Sequence, residues 1–179
     1  PHYAQACPAD LIMKNSQKIY KIEENNNPYV TKSEAETKVV REGNKVHVYM
    51  TAIRSHLAPD NIEGICVGDE VYFHVTNLEQ DWDIPHGFAV KGANTAELLI
   101  MPGETCTLKW TPDRVGIFPF YCTDFCSALH QEMQGYARVS PAGSNVPLKW
   151  GIGSTAPGGT PTGAVADKNA APKADSAKK

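Results

Sequence analysis

Between residues 37 and 152, apolar and polar side chains alternate in short runs separated by turn signals. Val46, Val48 and Met50 alternate with Lys45, His47, Tyr49 and Thr51, and Val71, Phe73 and Val75 alternate with Tyr72, His74 and Thr76. A strand turns successive side chains to opposite faces, so this period of two marks strands half-buried against a core. Further strands are predicted at 87–91, 96–100, 105–110, 116–121 and 135–139. Turns fall at Glu42-Gly43-Asn44, Val67-Gly68-Asp69, Met101-Pro102-Gly103 and Thr111-Pro112-Asp113. Short strands at such intervals, with no long helical period and no internal repeat, predict an all-β antiparallel sandwich or barrel.

The pattern fails at both ends. Residues 1–36 are polar, Asn-rich around Asn25-Asn26-Asn27-Pro28, and hold one short apolar run, Leu11-Ile12-Met13. They read as an irregular linker, or as the end of a larger N-terminal domain. Residues 153–179 are dominated by Ala, Gly, Pro, Thr, Ser and Lys. Such a tail buries too little apolar surface to offset its ordering entropy and is predicted to be disordered.

Composition narrows the picture without choosing a function. At 179 residues the chain accommodates one domain with a sizeable core. Its 41% hydrophobic and 21% charged residues are ordinary for a globular protein. A formal charge of −3 with no Lys/Arg-rich run argues against a nucleic-acid partner. No apolar run is long enough for a helical membrane span. The start at Pro1 reads as a truncated end, so the lack of a leader says nothing about compartment. Five cysteines, at 7, 66, 106, 122 and 126, do not resemble a disulfide framework.

The chemistry follows the strand at 116–121, in Cys122-x3-Cys126-x3-His130-x2-Met133. A Cys-x3-Cys pair alone is equally a disulfide or two buried thiols. Two thiolates, an imidazole and a thioether together form a soft donor set, which favours copper over zinc. A mononuclear blue copper site uses one Cys, whereas two allow both sulfurs to bridge a metal pair. A second imidazole is expected from another loop. His86, in Asp83-Ile84-Pro85-His86-Gly87-Phe88, stands where Pro and Gly bound a loop leading into a strand.

From Asp81 to Pro141 the sequence resembles the copper-A (CuA) domain shared by nitrous-oxide reductase and subunit II of haem-copper oxidases. The finer similarity is to nitrous-oxide reductase, through Ala128-Leu129-His130-Gln131-Glu132-Met133-Gln134-Gly135 and through His86-Gly87-Phe88 after an acidic loop. Oxidase subunits usually carry Ser-Glu between the cysteines and Asn before the His, where this chain has Thr123-Asp124-Phe125 and Leu129.

The resemblance implies a cupredoxin-like Greek-key β-sandwich over 37–152. It implies Cys122 and Cys126 as bridging thiolates, His86 and His130 as terminal imidazoles, Met133 as a weak thioether ligand and Asp124 as a backbone-carbonyl ligand. The cofactor is then binuclear copper. Filled coordination makes such a site an electron relay, with no open position for substrate.

The resemblance also implies a larger setting. In nitrous-oxide reductase the CuA domain follows a propeller whose histidines hold the catalytic CuZ cluster, the last of them near the junction in a Pro-His dipeptide. Pro1-His2 is similar, which would make His2 a CuZ ligand; otherwise it is a terminal histidine without a role. The family is periplasmic, takes electrons from a cytochrome c or a small cupredoxin, and forms a head-to-tail homodimer. The chain would then belong to an oxidoreductase reducing nitrous oxide, but would lack the catalytic domain. Two alternatives are a CuA domain of oxidase subunit II and a free-standing copper cupredoxin.

Other residues carry weaker expectations. Asp81 and Asp83 either orient His86, dock a basic donor or form a solvated turn. Trp82 is expected as a loop or interface aromatic. His47, His56 and His74 are expected at the surface or hydrogen-bonded. Cys66 and Cys106 are expected as small buried hydrophobes, with a disulfide between them open; Cys7 has no assigned role.

Overall fold

The computed structural model describes residues 26–152 apart from Trp82. The expectations for His2, Cys7, Trp82, the 153–179 tail and most of the 1–36 segment lie outside the described residues. Eleven strands run in the order β1 Lys38–Glu42, β2 Lys45–Ile53, β3 His56–Ala58, β4 Asn61–Cys66, β5 Glu70–Asn77, β6 His86–Val90, β7 Leu98–Ile100, β8 Thr105–Trp110, β9 Gly116–Tyr121, β10 Gln134–Ser140 and β11 Lys149–Gly151. They form two sheets, one ordered β1-β2-β5-β8 with β3 on β2, the other β11-β4-β10-β9-β6-β7. No helix among the described residues is long and apolar enough to cross a membrane.

The alternation read from the sequence is the burial pattern. Val46, Val48, Met50, Val71, Phe73 and Val75 are fully buried, and the first sheet packs them against Ile62, Phe88, Phe120 and Ala137 of the second. Three phenylalanines meet at the centre, with ring centroids 5.3 Å (Phe73–Phe88), 5.7 Å (Phe88–Phe120) and 5.9 Å (Phe73–Phe120) apart. Fully burying an aromatic or branched side chain stabilises by about 1.5–3 kcal/mol, so this cluster holds the sheets together.

The expectation of a wholly antiparallel sandwich is corrected: both sheets are mixed. β2 pairs parallel with β5, from Lys45↔Glu70 to Ala52↔Asn77, and β10 pairs parallel with β4. Parallel neighbours need a crossover, and here β3 and β4 intervene between β2 and β5. The strands at 38–42, 56–58, 61–66 and 149–151 add to those predicted. In β4, Gly64 breaks the alternation at a φ of 92°. A Cβ there would stand 2.6 Å from the Pro147 carbonyl oxygen, so the position demands glycine.

The segment before β1 is fastened to the outer face of the first sheet. The Asn27 side chain donates to the Thr105 carbonyl at 3.2 Å, and the Thr31 N–H donates to Thr76 Oγ1 at 3.0 Å. A 3-10 turn at Glu34–Glu36 then leads into β1.

Candidate metal centre

Strand periodicity puts the predicted donors in one place. His86, Phe88 and Val90 are the inward positions of β6, and Phe118 and Phe120 those of β9, with Cys122 continuing the same face. Met133 likewise continues the inward face of β10, ahead of Gly135, Ala137 and Val139. Because β10, β9 and β6 are neighbours, these three donors cap adjacent strands above the phenylalanine cluster. The Cys122 N–H donates to the Met133 carbonyl at 2.9 Å and extends the β9–β10 ladder to this edge. The loop between β9 and β10 supplies Cys126 and, on a short 3-10 turn at His130–Glu132, His130.

All six predicted donors come together. Cys122 Sγ lies 3.7 Å from His86 Nδ1 and 3.2 Å from the Asp124 carbonyl oxygen. Cys126 Sγ lies 3.7 Å from His130 Nδ1 and 3.7 Å from Met133 Sδ. A ring nitrogen of His86 and both cysteine sulfurs lie within 4.8 Å of one another. His86, Cys122 and Met133 are buried, whereas Cys126 and His130 are half-buried. A cavity of about 340 Å³ opens beside them, lined by Tyr121, Cys122, Thr123, His130, Gln131, Met133 and Gln134.

The electrostatics fit a soft cation. Burial pushes the Cys122 thiol up to about 11, although backbone hydrogen bonds at Asp124 and Gly87 oppose the rise. Burial raises Cys126 as well. Two thiols held protonated this way become thiolates only when a positive charge replaces their protons, as a metal does. Burial also lowers His86, against the pull of Glu79, so its Nδ1 lone pair is free to ligate. Two sulfurs, two imidazole nitrogens, a thioether and a carbonyl converging in a mostly buried pocket match the chemistry of copper.

Sequence reasoning missed Glu79. Its Oε1 stands 3.2 Å from His86 Nε2, and both side chains are buried. The carboxylate is held from behind by Arg54, whose backbone N–H donates at 2.6 Å and whose Nε donates to both oxygens at 3.2 and 3.1 Å. Asn77 steadies the same corner: its Oδ1 accepts the Glu79 N–H at 2.9 Å, and its Nδ2 donates to the Ile84 and Ile100 carbonyls, each at 3.0 Å. With Nε2 donating to Glu79, His86 is fixed in the tautomer that leaves Nδ1 facing the sulfur.

Asp81 does not touch His86; it pairs with Arg54 at 2.7 Å, and Asp83 is exposed. His74 is buried and hydrogen-bonded to His47, and His56 lies 3.8 Å from Glu34. Cys66 and Cys106 are free thiols in different sheets. Cys66 is buried as expected. Cys106 is only half-buried: it shares the inward face of β8 with Leu108 and Trp110 but stands near the start of the strand, at the margin of the core.

No family model matches the chain. Curated proteins do. Nitrous-oxide reductase of Stutzerimonas stutzeri is 34% identical over 155 residues, covering 79% of this chain and 24% of that protein. Nitrous-oxide reductase of Ralstonia nicotianae is 33% identical over 138 residues, covering 74% and 21%. Cytochrome c oxidase subunit 2 of Thermus thermophilus is 35% identical over 98 residues, covering 54% of this chain and 68% of that one. The chain therefore spans about a quarter of the length of the nitrous-oxide reductases it matches. Among solved structures, a heme-copper terminal oxidase dimer shares the fold at a TM-score of 0.52 and 20% identity, over 74% of this chain and 88% of that one.

Proposed function

The chain belongs to the family of CuA domains that nitrous-oxide reductase and cytochrome c oxidase subunit 2 share, and from that membership we propose that it is a binuclear copper electron-transfer module. The observation that carries the reading is the meeting of both cysteine sulfurs with two imidazole Nδ1 atoms, each 3.7 Å from a sulfur. Cys122 and Cys126 would hold the copper pair through their thiolates, with His86, His130, Met133 and the Asp124 carbonyl as the further donors. A copper pair held there would supply a one-electron couple.

The chain's own residues make that couple a relay. Strand ends hold His86, Cys122 and Met133 in fixed directions, so the donors need little rearrangement when the charge changes. The phenylalanines behind them keep water from the buried side. On the open side, Phe125 is 78% exposed and Leu129 60% exposed, both within the ligand loop. They form an apolar landing point for an electron donor, a cytochrome c or a small cupredoxin, and Asp81 and Asp83, in the loop before His86, would meet a basic rim.

The parent enzyme in this reading is a nitrous-oxide reductase. The similarity to those enzymes runs over 79% of this chain, against 54% for the oxidase subunit. Electrons then pass onward to the CuZ cluster that reduces nitrous oxide to dinitrogen and water, in a portion of the relatives that this chain does not match. A periplasmic location, a head-to-tail homodimer and a CuZ-ligand role for His2 belong to the same reading. Copper loading tests it: two coppers per chain and a seven-line paramagnetic pattern are expected. A single-copper blue spectrum would refute the binuclear centre. Cys126→Ser should abolish the shared-valence signal while Cys66→Ser, remote from the donors, leaves it.

A further inference from the structure

The outer face of the first sheet carries an arrangement that the copper centre does not use. His47 on β2 and His74 on β5 face each other, with His47 Nδ1 2.9 Å from His74 Nε2. Tyr29, from the segment before β1, lies flat on the His74 ring at 4.0 Å and 1°. Tyr72 stacks on His47 at 4.9 Å and 9°. The other ring nitrogen of His74, Nδ1, is 2.8 Å from Thr107 Oγ1 on β8. His74 is thereby 1% exposed although it points away from the core.

We propose that residues 26–36 form a strap across this face, latched where Tyr29 closes over the His47–His74 pair, and that proton uptake by the pair opens the strap. Two imidazoles in contact share one hydrogen bond, made by one N–H and one lone pair. A further proton at that contact sets two donors face to face and buries a charge under the Tyr29 ring.

The groups facing His74 offer that charge no anion. They are His47 and Tyr49 on β2, Tyr72 on its own strand, Thr107 on β8 and Tyr29 on the strap. The charges that reach this face are Lys109, set 5.3 Å over the Tyr72 ring and paired with Glu70, and Lys38, 4.6 Å over the Tyr49 ring, with Glu42 acting on Tyr49. The strap is further fastened by hydrogen bonds at Asn27 and Thr31 and by the Glu34–His56 contact at 3.8 Å. The Thr31 hydroxyl is buried without a partner, which makes the closed form shallow.

Burial, with the His47 charge second, pushes His74 down to about 4, from an ordinary 6.5. Lifting the strap returns His74 to water and toward the ordinary value. The closed form then binds fewer protons than the open one, so acid favours opening. Above about 6.5 the opening equilibrium is flat; between about 6.5 and about 4 it rises about tenfold per pH unit; below that it levels off. Because the strap precedes β1, its release lengthens the tether between the copper domain and the residues upstream, by on the order of 30 Å.

Amide exchange in the copper-loaded chain, reduced so that it is diamagnetic, reads the latch. The protection factor of the Thr31 amide should fall about tenfold per pH unit from about pH 6.5 toward pH 4. His74→Phe keeps a flat ring under Tyr29 without a titrating group and should make that protection flat with pH. Tyr29→Ala should move the His74 titration, followed by NMR, back toward 6.5. Thr31 protection independent of pH in the unaltered chain overturns the latch. So does a His74 midpoint that ignores Tyr29→Ala, a measurement that decides the matter even where His74→Phe fails to fold.

Discussion

Glu79 Oε1 sits 3.2 Å from His86 Nε2, while the opposite nitrogen of the same ring, Nδ1, faces Cys122 Sγ at 3.7 Å. One imidazole thus joins a buried carboxylate to the sulfur pair. The carboxylate is itself committed, since Arg54 holds both of its oxygens. Carboxylate partners of this kind set a ligand's tautomer and its basicity. Glu79→Ala should lower copper affinity by roughly 10–100-fold in a chelator competition. Glu79→Gln, which retains an oxygen acceptor, should lose less. Equal affinity in all three proteins would show that the contact does not act on the ligand.

The residue after His86 has a different duty. A Cβ on Gly87 would collide with the Thr123 hydroxyl and stand 2.9 Å from the backbone nitrogens of both Thr123 and Asp124. Those atoms begin the ligand loop, so Gly87→Ala must push the loop away from β6. Overpacking of this kind costs about 1–3 kcal/mol. The expected result is a lower melting temperature of the metal-free chain together with weaker copper binding. Adding Thr123→Ala should recover part of both, because one collision partner is gone while the backbone remains. Full recovery would mean that the backbone contact is unimportant.

These two neighbours of His86 show what the sequence discloses and what it hides. The donors from Cys122 to Met133 are legible because they crowd into twelve residues of unusual chemistry. His86 is legible from its place at a Pro/Gly-bounded strand start. Glu79 is not, since Asn77-Leu78-Glu79-Gln80 reads as a solvated turn after a strand. It becomes a buried partner only because Arg54, 25 residues earlier in sequence, folds over it. β4 was hidden by Gly64, which interrupts the alternation. The parallel pairing of β2 with β5 was hidden because each strand's pattern is the same for either direction of its neighbour.

Copper uptake should expel protons. Burial raises both thiols, Cys122 to about 11, so at pH 7 the metal-free chain holds both as S–H. Ligation as thiolates releases one proton from each. The sign follows: affinity rises with pH until Cys122 deprotonates unaided near 11. Titration calorimetry at pH 7 in buffers of different ionisation enthalpy should report two protons released per copper pair. A value near zero would place the cysteines outside the ligand set.

The apolar tip of the ligand loop yields the last expectation. Phe125 and Leu129 are 78% and 60% exposed beside half-buried Cys126 and His130, and Phe125 lies 5.9 Å from the His130 ring. Large exposed hydrophobes at the rim of a polar site mark contact surfaces. Their contribution to docking comes from area removed from water, at about 25 cal/mol per Å², and so persists when salt is added. Phe125→Ser with Leu129→Ser should slow bimolecular reduction by a cytochrome c at least tenfold, roughly 1.4 kcal/mol, at low and high ionic strength alike. The seven-line spectrum should stay unchanged, because neither side chain is a donor. A loss confined to high salt, with reduction at low salt unchanged, would assign low-salt docking to the Asp81 and Asp83 carboxylates instead, and an altered spectrum would mean that the loop itself had moved.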